Sequence, residues 1–306
     1  MKVMVTGGHG FLGKFVCAKL DETGYNVINP SHKELELMNT EEVERYLILH
    51  FPDAVVHLAA VCGGIGANRK HPAEFFYKNL IMDTQLMHTA WQCGVKKFVA
   101  LGTVCSYPVN TPVPFKEEDI WNGYPEPTNA PYGLAKKMMM VQAQAYRVQY
   151  GFNAIFVIPT NLYGPGDNFD PESSHVIPAI IRKIQDAMGK GETKVSLWGT
   201  GGATRDFLYV DDAAEGICLA LEEYNGLEPI NLGSGKEISI LDLVGKICQL
   251  MGYKGELVFD RTTPDGQPRR CLNIERAWTC LGWEPKVGLE DGLRDTIEYW
   301  RHRAKK

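Results

Sequence analysis

The chain has 306 residues, of which 44% are hydrophobic and 23% charged, and its net charge is −5. This is ordinary globular composition at a length suited to one α/β sheet with a smaller lobe. Lys and Arg cluster only in short pairs such as Lys96-Lys97 and Arg269-Arg270, which argues against a nucleic-acid partner. No apolar stretch approaches a membrane span, and the N-terminus lacks the pattern of a secretory leader, so no membrane association is expected. The eight cysteines show no C-x-x-C pair and no histidines at zinc spacing. They read as reduced thiols, which predicts a cytoplasmic setting and no metal.

Lys2 to Thr6 is a β-branched run that predicts a strand, and Gly7-Gly8-His9-Gly10-Phe11-Leu12-Gly13 follows directly, with a helix from Lys14. Strand, G-x-x-G-x-x-G and helix together are what a dinucleotide pyrophosphate needs: a tight turn, close backbone approach and a helix N-terminus facing negative charge. Asn26 to Asn29 predicts the second strand. An acidic residue at its end would bind an adenosine ribose diol, but Ser31, His32 and Lys33 stand there instead, which favours NADP over NAD. The alternative is that Glu34 or Glu36 takes the acidic role.

Glu41 to His50 predicts a helix and Ala54 to Leu58 a buried strand, ending in the small residues Ala59 and Ala60 that let a ligand approach the backbone. Pro72 to Gln92 predicts a long helix carrying Asn79, and Lys96 to Leu101 the next strand. Gly102-Thr103-Val104-Cys105 leaves the sheet at its carboxyl edge, where ligands of open α/β sheets sit. Thr103 and Cys105 are therefore candidate site residues, the alternatives being a turn cap and a buried small hydrophobe. The loop Val109 to Pro131, with five prolines and the acidic run Glu117-Glu118-Asp119, predicts an exposed cover near the substrate.

Pro131 predicts a helix start after it, carrying Tyr132 and Lys136 one turn apart on one face. An ammonium so placed is expected to lower the phenol's pKa and make it a usable acid or base. Such a pair alone also occurs on solvated helix faces, so its weight comes from the glycine turn and Thr103. Ala154 to Ile158 predicts another strand, followed by a polar and aromatic ligand wall from Pro159 through Asn161 and Leu162 to Pro165. His175 precedes the helix Val176 to Met188, as a site residue or as a helix cap.

From about Lys194 the pattern changes. Val195 to Trp198, Phe207 to Val210 and Ile230 to Leu232 predict strands, while Asp211 to Glu223 and Leu241 to Met251 predict helices. Arg205, Arg269 and Arg270, with Asp265, are candidates for holding a nucleotide diphosphate. The expected fold class is α/β: a Rossmann-type doubly wound parallel sheet with a smaller C-terminal α/β substrate-binding lobe. Residues 1–165, with a return segment around 203–232, form the expected NADP-binding domain, and residues 166–306 a discontinuous nucleotide-sugar lobe.

Gly7-x-x-Gly10-x-x-Gly13, Thr103 at a strand end and Tyr132-x-x-x-Lys136 together resemble the extended short-chain dehydrogenase/reductases acting on nucleotide sugars. Longer stretches narrow the resemblance: Gly102 to Pro108, Glu126 to Asn129, Pro159 to Pro165, Asp167-Asn168-Phe169, Ser174-His175-Val176-Ile177-Pro178 and Pro264-Asp265-Gly266-x-Pro268-Arg269. They are similar to the GDP-L-fucose synthases, which are GDP-4-keto-6-deoxy-D-mannose 3,5-epimerase/4-reductases, over almost the full chain.

The resemblance implies that Cys105 and His175 move the protons on C3 and C5. It also implies that NADPH reduces C4 while Tyr132, assisted by Thr103 and Lys136, protonates the oxygen. It places NADP(H) against Gly7, His9, Gly10, Phe11, Leu12, Gly13, Ser31, His32, Lys33, Leu58, Ala59, Ala60, Leu101, Gly102, Tyr132, Lys136, Pro159, Asn161, Leu162 and His175. The GDP-sugar would lie against Asn161, Val176, Lys183, Trp198, Arg205, Asp265 and Arg269.

This chain departs from the family in having Thr103 where Ser is common, and His9 and His32-Lys33 where Arg is common. A homodimer is implied, paired through helices Pro72 to Gln92 and Tyr132 to Tyr150, with Met138, Met139 and Met140 offering apolar surface. Alternative functions are a related GDP-4-keto-6-deoxy-sugar 4-reductase, including a heptose reductase, a nucleotide-sugar 4-epimerase or 4,6-dehydratase, and a non-catalytic dinucleotide sensor. The lack of an acidic residue just after Thr103 counts against a dehydratase, and retention of Tyr132 and Lys136 counts against a sensor.

Overall fold

The computed structural model describes residues 1–263 and 265–303, so Pro264 of the Pro-Asp-Gly motif lies outside the described residues. In chain order the first half contains β1 (Lys2–Thr6), α1 (Phe11–Glu22), β2 (Asn26–Ile28), α2 (Thr40–His50), β3 (Ala54–His57), α3 (Ile65–Lys70), α4 (Pro72–Gln92), β4 (Lys97–Leu101) and α5 (Ala130–Tyr150). The second half contains β5 (Asn153–Pro159), β6 (Asn161–Tyr163), α6 (Val176–Lys190), β7 (Lys194–Trp198), β8 (Thr204–Tyr209), α7 (Val210–Glu223), β9 (Ile230–Leu232), β10 (Glu237–Ser239), α8 (Ile240–Met251), β11 (Glu256–Asp260), α9 (Glu275–Leu281) and α10 (Leu289–Arg303).

Strands of the main sheet run in the order β2-β1-β3-β4-β5-β9, and every neighbouring pair is parallel. Parallel strands require crossovers, and here the crossovers bury both faces of the sheet. The period-two alternation of each strand divides its side chains between the faces. Met4, Val55, Phe98, Ala100, Phe156 and Ile158 pack with residues of α2, α4 and α5. Val3, Val5, Val56, Val99, Ile155 and Val157 pack with residues of α1, α7 and α9. From β1 the chain crosses to β2 on one side and then to β3 on the other, so the direction of winding reverses between β1 and β3. A crevice opens beyond the carboxyl ends of strands at such a switch point.

The rest of the chain builds a three-stranded sheet, β10-β8-β6, and a parallel pair, β11-β7. Their side chains share an apolar core with α6, α8 and α10. Among the described residues no helix is long and apolar enough to cross a membrane, and no group of His, Cys, Asp or Glu is arranged to hold a metal ion.

Several expectations need correction. Helix α5 begins at Ala130, so Pro131 lies inside its first turn, where a missing N–H breaks no helical hydrogen bond. Met139 and Met140 are buried in the main core, so only Met138 of that run keeps partial exposure. The loop after residue 109 is no simple exposed cover. Phe115 and Ile120 are buried, the Phe115 amide donates to the Cys271 carbonyl at 2.7 Å, and Glu117 Oε1 accepts the Asn231 amide at 3.0 Å. Lys137 donates to the Ile120 carbonyl, and Arg276 pairs with Glu118. The loop is a strap tying the sheet to the chain's last quarter, with Trp121 and Tyr124 as its exposed large hydrophobic side chains.

Asn231 is the strap's anchor. Fully buried, it accepts from the Tyr107 hydroxyl at 2.8 Å and donates to the carbonyls of Phe115 and Asn273 at 3.0 and 3.2 Å. Removing the hydroxyl in Tyr107→Phe leaves a buried acceptor unmatched, so the urea midpoint should fall by an amount equivalent to about 1–3 kcal/mol.

Candidate active site

The crevice at the switch point is a cavity of about 680 Å³. Its outer end is shaped by glycine. Gly7 has φ +71°, and a Cβ there would lie 2.8 Å from the Ala59 backbone nitrogen; one on Gly13 would lie 2.1 Å from the Gly7 carbonyl oxygen. These contacts bring β1, the start of α1 and the end of β3 closer together than any side chain permits. Helix α1 starts after Gly10 with no side-chain cap and no acidic residue in its first turn, leaving its N–H groups open to an anion.

Beside it, Ser31 and His32 line the cavity while Lys33 does not. The Glu34 carboxylate turns back to accept from the Ser31 amide and hydroxyl at 2.8 and 2.7 Å, and these bonds hold its pKa below the ordinary carboxylate range. Asn79 clamps the neighbouring wall by exchanging hydrogen bonds of 2.9 Å with both backbone groups of Val61.

The inner end is assembled by α5. A Cβ on Gly133 would lie 2.3 Å from the Cys105 carbonyl oxygen, and the Ser106 hydroxyl donates to the Gly133 carbonyl at 2.8 Å. This contact docks the first turn of α5 on the 3₁₀ turn Val104–Ser106 that follows β4. Tyr132, Lys136, Thr103, Cys105 and His175 therefore line one cavity. Thr103 fills two roles: its hydroxyl accepts from the Cys105 amide at 3.2 Å, capping the turn, and it also favours the ionised form of Tyr132. The sequence left those readings as alternatives.

The phenol itself differs from expectation. Burial pushes the Tyr132 pKa well above its ordinary value, and Cys62, Cys105 and Asp83 push it the same way. Lys136 does not offset this because its ammonium is engaged by Asp83, whose Oδ1 and Oδ2 lie at 3.2 and 3.1 Å. Asp83 in turn meets His57 Nε2 at 2.8 Å, and His57 Nδ1 meets the Thr6 hydroxyl at 2.6 Å. Sequence reasoning missed both Asp83 and His57. Their signal was a carboxylate and an imidazole inside otherwise apolar helix and strand patterns.

Cys105 has a partner from far along the chain: Arg270 Nη1 lies 3.7 Å from its sulfur, and the buried guanidinium also donates to Gln267 Oε1 at 3.2 Å. Arg270 thus lies against a cavity-lining thiol, with Arg205 as a charged neighbour. His175 occupies the N-cap position of α6, but its side chain makes no cap bond. Its ring is open to the cavity, while the enclosing protein lowers its pKa by desolvation.

The remaining cofactor candidates His9, Gly10, Phe11, Leu12, Leu58, Ala59, Ala60, Leu101, Gly102, Pro159, Asn161 and Leu162 also line the cavity. The substrate candidates Val176, Lys183, Trp198, Arg205, Asp265 and Arg269 do not. Lys183 donates to the Ser196 carbonyl at 3.0 Å, Arg269 pairs with Glu237, and Trp198 is exposed with its ring against Gly66. Arg205 is buried, its pKa lowered to about 9 by desolvation, and it donates to the backbone carbonyls of Thr204, Gln267 and Asp265 at 2.7, 2.6 and 2.8 Å. Asp265 receives the Thr200 amide and hydroxyl, both at 2.7 Å. Arg205 and Asp265 therefore set loop shape beside the cavity.

A glycine-cradled crevice at a switch point, with a buried Tyr-Lys pair and a strand-end hydroxyl, defines a dinucleotide-dependent enzyme of carbonyl chemistry. The chain belongs to the NAD dependent epimerase/dehydratase family, whose model matches residues 3–233. It is 42% identical over 300 residues to GDP-L-fucose synthase 1 of Arabidopsis thaliana, covering 98% of this chain and 93% of that one. Among solved structures, a GDP-6-OMe-4-keto-L-xylo-heptose reductase from C. jejuni superposes with a TM-score of 0.92 at 27% identity, covering 99% of this chain and 98% of that one. A GDP-L-fucose synthetase from Naegleria fowleri bound to NADP gives 0.90 at 26% identity, covering 100% and 95%.

Burial raises the Asp167 carboxyl to about 7, and its Oδ2 has no hydrogen-bond partner among the described residues. The unfolded carboxyl titrates near about 3.9, so folding raises the pKa and the buried charge opposes folding. That penalty is absent below about pH 4, grows as pH rises, and is complete above about pH 7. Asp167→Asn should therefore gain on the order of a few kcal/mol over wild type at about pH 8 and nothing at about pH 4, measured by urea unfolding at both.

Proposed function

We propose that this protein converts GDP-4-keto-6-deoxy-D-mannose to GDP-L-fucose, by epimerisation at C3 and C5 followed by NADPH-dependent reduction of the C4 ketone. The observation that carries this reading is the convergence of Cys105 and His175 with Tyr132, Lys136 and Thr103 in one cavity. A simple ketone reductase needs the last three and has no use for a thiol and an imidazole facing the same space. The similarity to GDP-L-fucose synthases supports the substrate class.

The residues present suit a dinucleotide: the cradle at Gly7 and Gly13 is one that a Cβ would fill, and the α1 N-terminus carries no competing side-chain cap. His9, Gly10, Phe11, Leu12 and Gly13 would hold the pyrophosphate end, with Leu58, Ala59, Ala60, Leu101, Gly102, Pro159, Asn161 and Leu162 along the remaining walls. Ser31, His32 and Lys33 would favour a 2′-phosphate, and the commitment of Glu34 to Ser31 supports that preference. When bound, NADPH supplies the hydride.

Protons on C3 and C5 are acidic because the enolate delocalises onto the C4 oxygen. Cys105 takes such a proton as its thiolate, with the Arg270 guanidinium beside the sulfur to meet the charge. His175 returns a proton to the opposite face as the imidazolium, which desolvation makes a stronger acid while leaving the neutral ring the more populated form near neutral pH. Tyr132 protonates the C4 oxygen during reduction, and its raised pKa keeps the phenol protonated until then. Val176, Lys183, Trp198, Arg205, Asp265 and Arg269 would hold the GDP end. In this reading residues 1–165, with the return segment around 203–232, bind the cofactor and residues 166–306 the nucleotide sugar. The eight free thiols accord with a cytoplasmic setting.

A second reading has one observation in its favour, the close fold match to a GDP-heptose reductase: C4 reduction without epimerisation. Turnover of the keto sugar with NADPH in deuterated water separates them. Deuterium at C3 and C5 of the product, lost in Cys105→Ala while ketone reduction persists, is expected; reduction with no deuterium in wild type rejects the epimerase reading. Tyr132→Phe should lower NADPH consumption at least about a hundredfold while cofactor affinity stays within about twofold.

We further infer a homodimer paired through α4 and α5. Leu134, Met138, Val141, Ala145 and Val148 fall at spacings of three and four along α5, with Val141 and Val148 exposed, and Tyr77 is exposed on adjacent α4. The side-chain oxygens Oε1 of Gln85 and Gln142, on these two helices, have no hydrogen-bond partner among the described residues. Wild type should sediment as a dimer and the Val141→Asp/Val148→Asp variant as a folded monomer.

A further inference from the structure

Resting on the reading of Tyr132 and Lys136 as the reducing pair, we propose that Asp83 is a positioning residue for the reaction. It fixes the Lys136 ammonium and, through it, sets the pH range over which Tyr132 serves as the proton donor; His57 and Thr6 hold Asp83 in place. The geometry gives a directional chain. The Ala59 amide donates to the Thr6 hydroxyl at 3.4 Å, the hydroxyl meets His57 Nδ1 at 2.6 Å, His57 Nε2 meets Asp83 Oδ1 at 2.8 Å, and Lys136 donates to the same oxygen at 3.2 Å.

Each link has one consistent proton assignment. A carboxylate only accepts, so Nε2 carries the ring proton, and Nδ1 accepts from the threonine. Burial lowers the His57 pKa, which keeps the ring in this neutral form. Thr6, His57, Asp83 and Lys136 are all buried, and Asp83 itself has no exposed surface. Asp83 Oδ2 lies within ion-pair distance of the ammonium but off the line of a hydrogen bond.

A carboxylate and an ammonium placed this deep are costly unless each neutralises the other. Apolar side chains would hold α4 against α5 as well, so packing does not account for the pair. The chain begins at Ala59, the residue that closes on Gly7, and ends at the side chain one turn from Tyr132. The titratable groups that bear on Tyr132 and Lys136 are His57 from β3, Asp83 from α4, Cys62 and Cys105 from the strand-end loops, and Asp167, which acts on Cys62, while His175 faces the same cavity from the start of α6. Asp83 is the member of this set that contacts the ammonium directly.

Ketone reduction requires a protonated Tyr132 and a charged Lys136. With Asp83 neutralised, the uncompensated ammonium either drags the phenol's pKa down or loses its own proton at lower pH, because a buried unpaired cation is disfavoured. Both routes move the alkaline limb of the rate profile in one direction.

The test is the pH profile of kcat/KM for reduction of GDP-4-keto-6-deoxymannose by NADPH, with wild type, Asp83→Asn and Asp83→Glu. The limb should fall by about one pH unit or more in Asp83→Asn and return toward wild type in Asp83→Glu, with NADPH affinity within about threefold. An unshifted limb in folded Asp83→Asn overturns the proposal. If that variant does not fold, His57→Leu, which removes the donor holding Asp83, is read the same way: a smaller downward shift supports the role and an unshifted limb overturns it. Wild type that fails to reduce the keto sugar refutes the reading of the site itself, a result distinct from a silent Asp83→Asn.

Discussion

The site depends on one close approach: the first turn of α5 against the backbone that leaves β4. Because Gly133 has no side chain, the Cys105 carbonyl comes within a distance that any Cβ would block. Tyr132 is thereby carried to Thr103 and Cys105, while Lys136 is driven one turn deeper into the layer between α5 and α4. Sequence spacing gives the angular relation of Tyr132 to Lys136, and this contact supplies their depth. Depth decides the chemistry, since a solvated pair would have ordinary acidities and an enclosed one must balance its charges internally.

Electrostatics at the inner end follow from that enclosure. An ammonium one turn from a phenol in water would be the phenol's main charged neighbour, but here a carboxylate takes the ammonium first. The phenol is left strongly protonated, suited to giving a proton to a new alkoxide and ill suited to taking one beforehand. In the same site a sulfur has a guanidinium beside it, the Cys105 thiol and Arg270. The phenol and the thiol share one cavity and meet through Thr103, which accepts from the Cys105 amide and favours the ionised form of Tyr132.

The elements with strong periodicity were legible from sequence. Strand β1, helix α4 and strand β9 lie where the pattern puts them, because buried parallel strands and a long amphipathic helix carry their own signal. The glycine turn was legible for a similar reason: it combines composition with position. Helix α3 was not, since Ile65–Lys70 lacks an apolar face and is held by tertiary contact, including the Gly64 amide bonded to the Ser173 carbonyl at 3.2 Å. The short strands β6, β10 and β11 and the helices α9 and α10 were missed because each is set mainly by its neighbours. The acidic run at Glu117 read as solvated, yet Glu117 is buried, satisfying the Asn231 backbone. Arg270 was read only as a candidate for a nucleotide diphosphate, because a linear pattern carries no information about which sulfur lies across the fold.

The strap that joins residues 109–131 to Asn231, Cys271 and Asn273 carries a consequence for biosynthesis. A growing polypeptide emerging from the ribosome can lay down β1 through β5 from its first 159 residues, but the sixth strand of the sheet arrives only with residue 232. The guanidinium that covers the Cys105 sulfur is translated later still, at residue 270. Until then the thiol and the inner face of the strap have no cover, so closure of this end of the cavity is a late event during synthesis, and truncation before residue 270 removes the guanidinium that completes it.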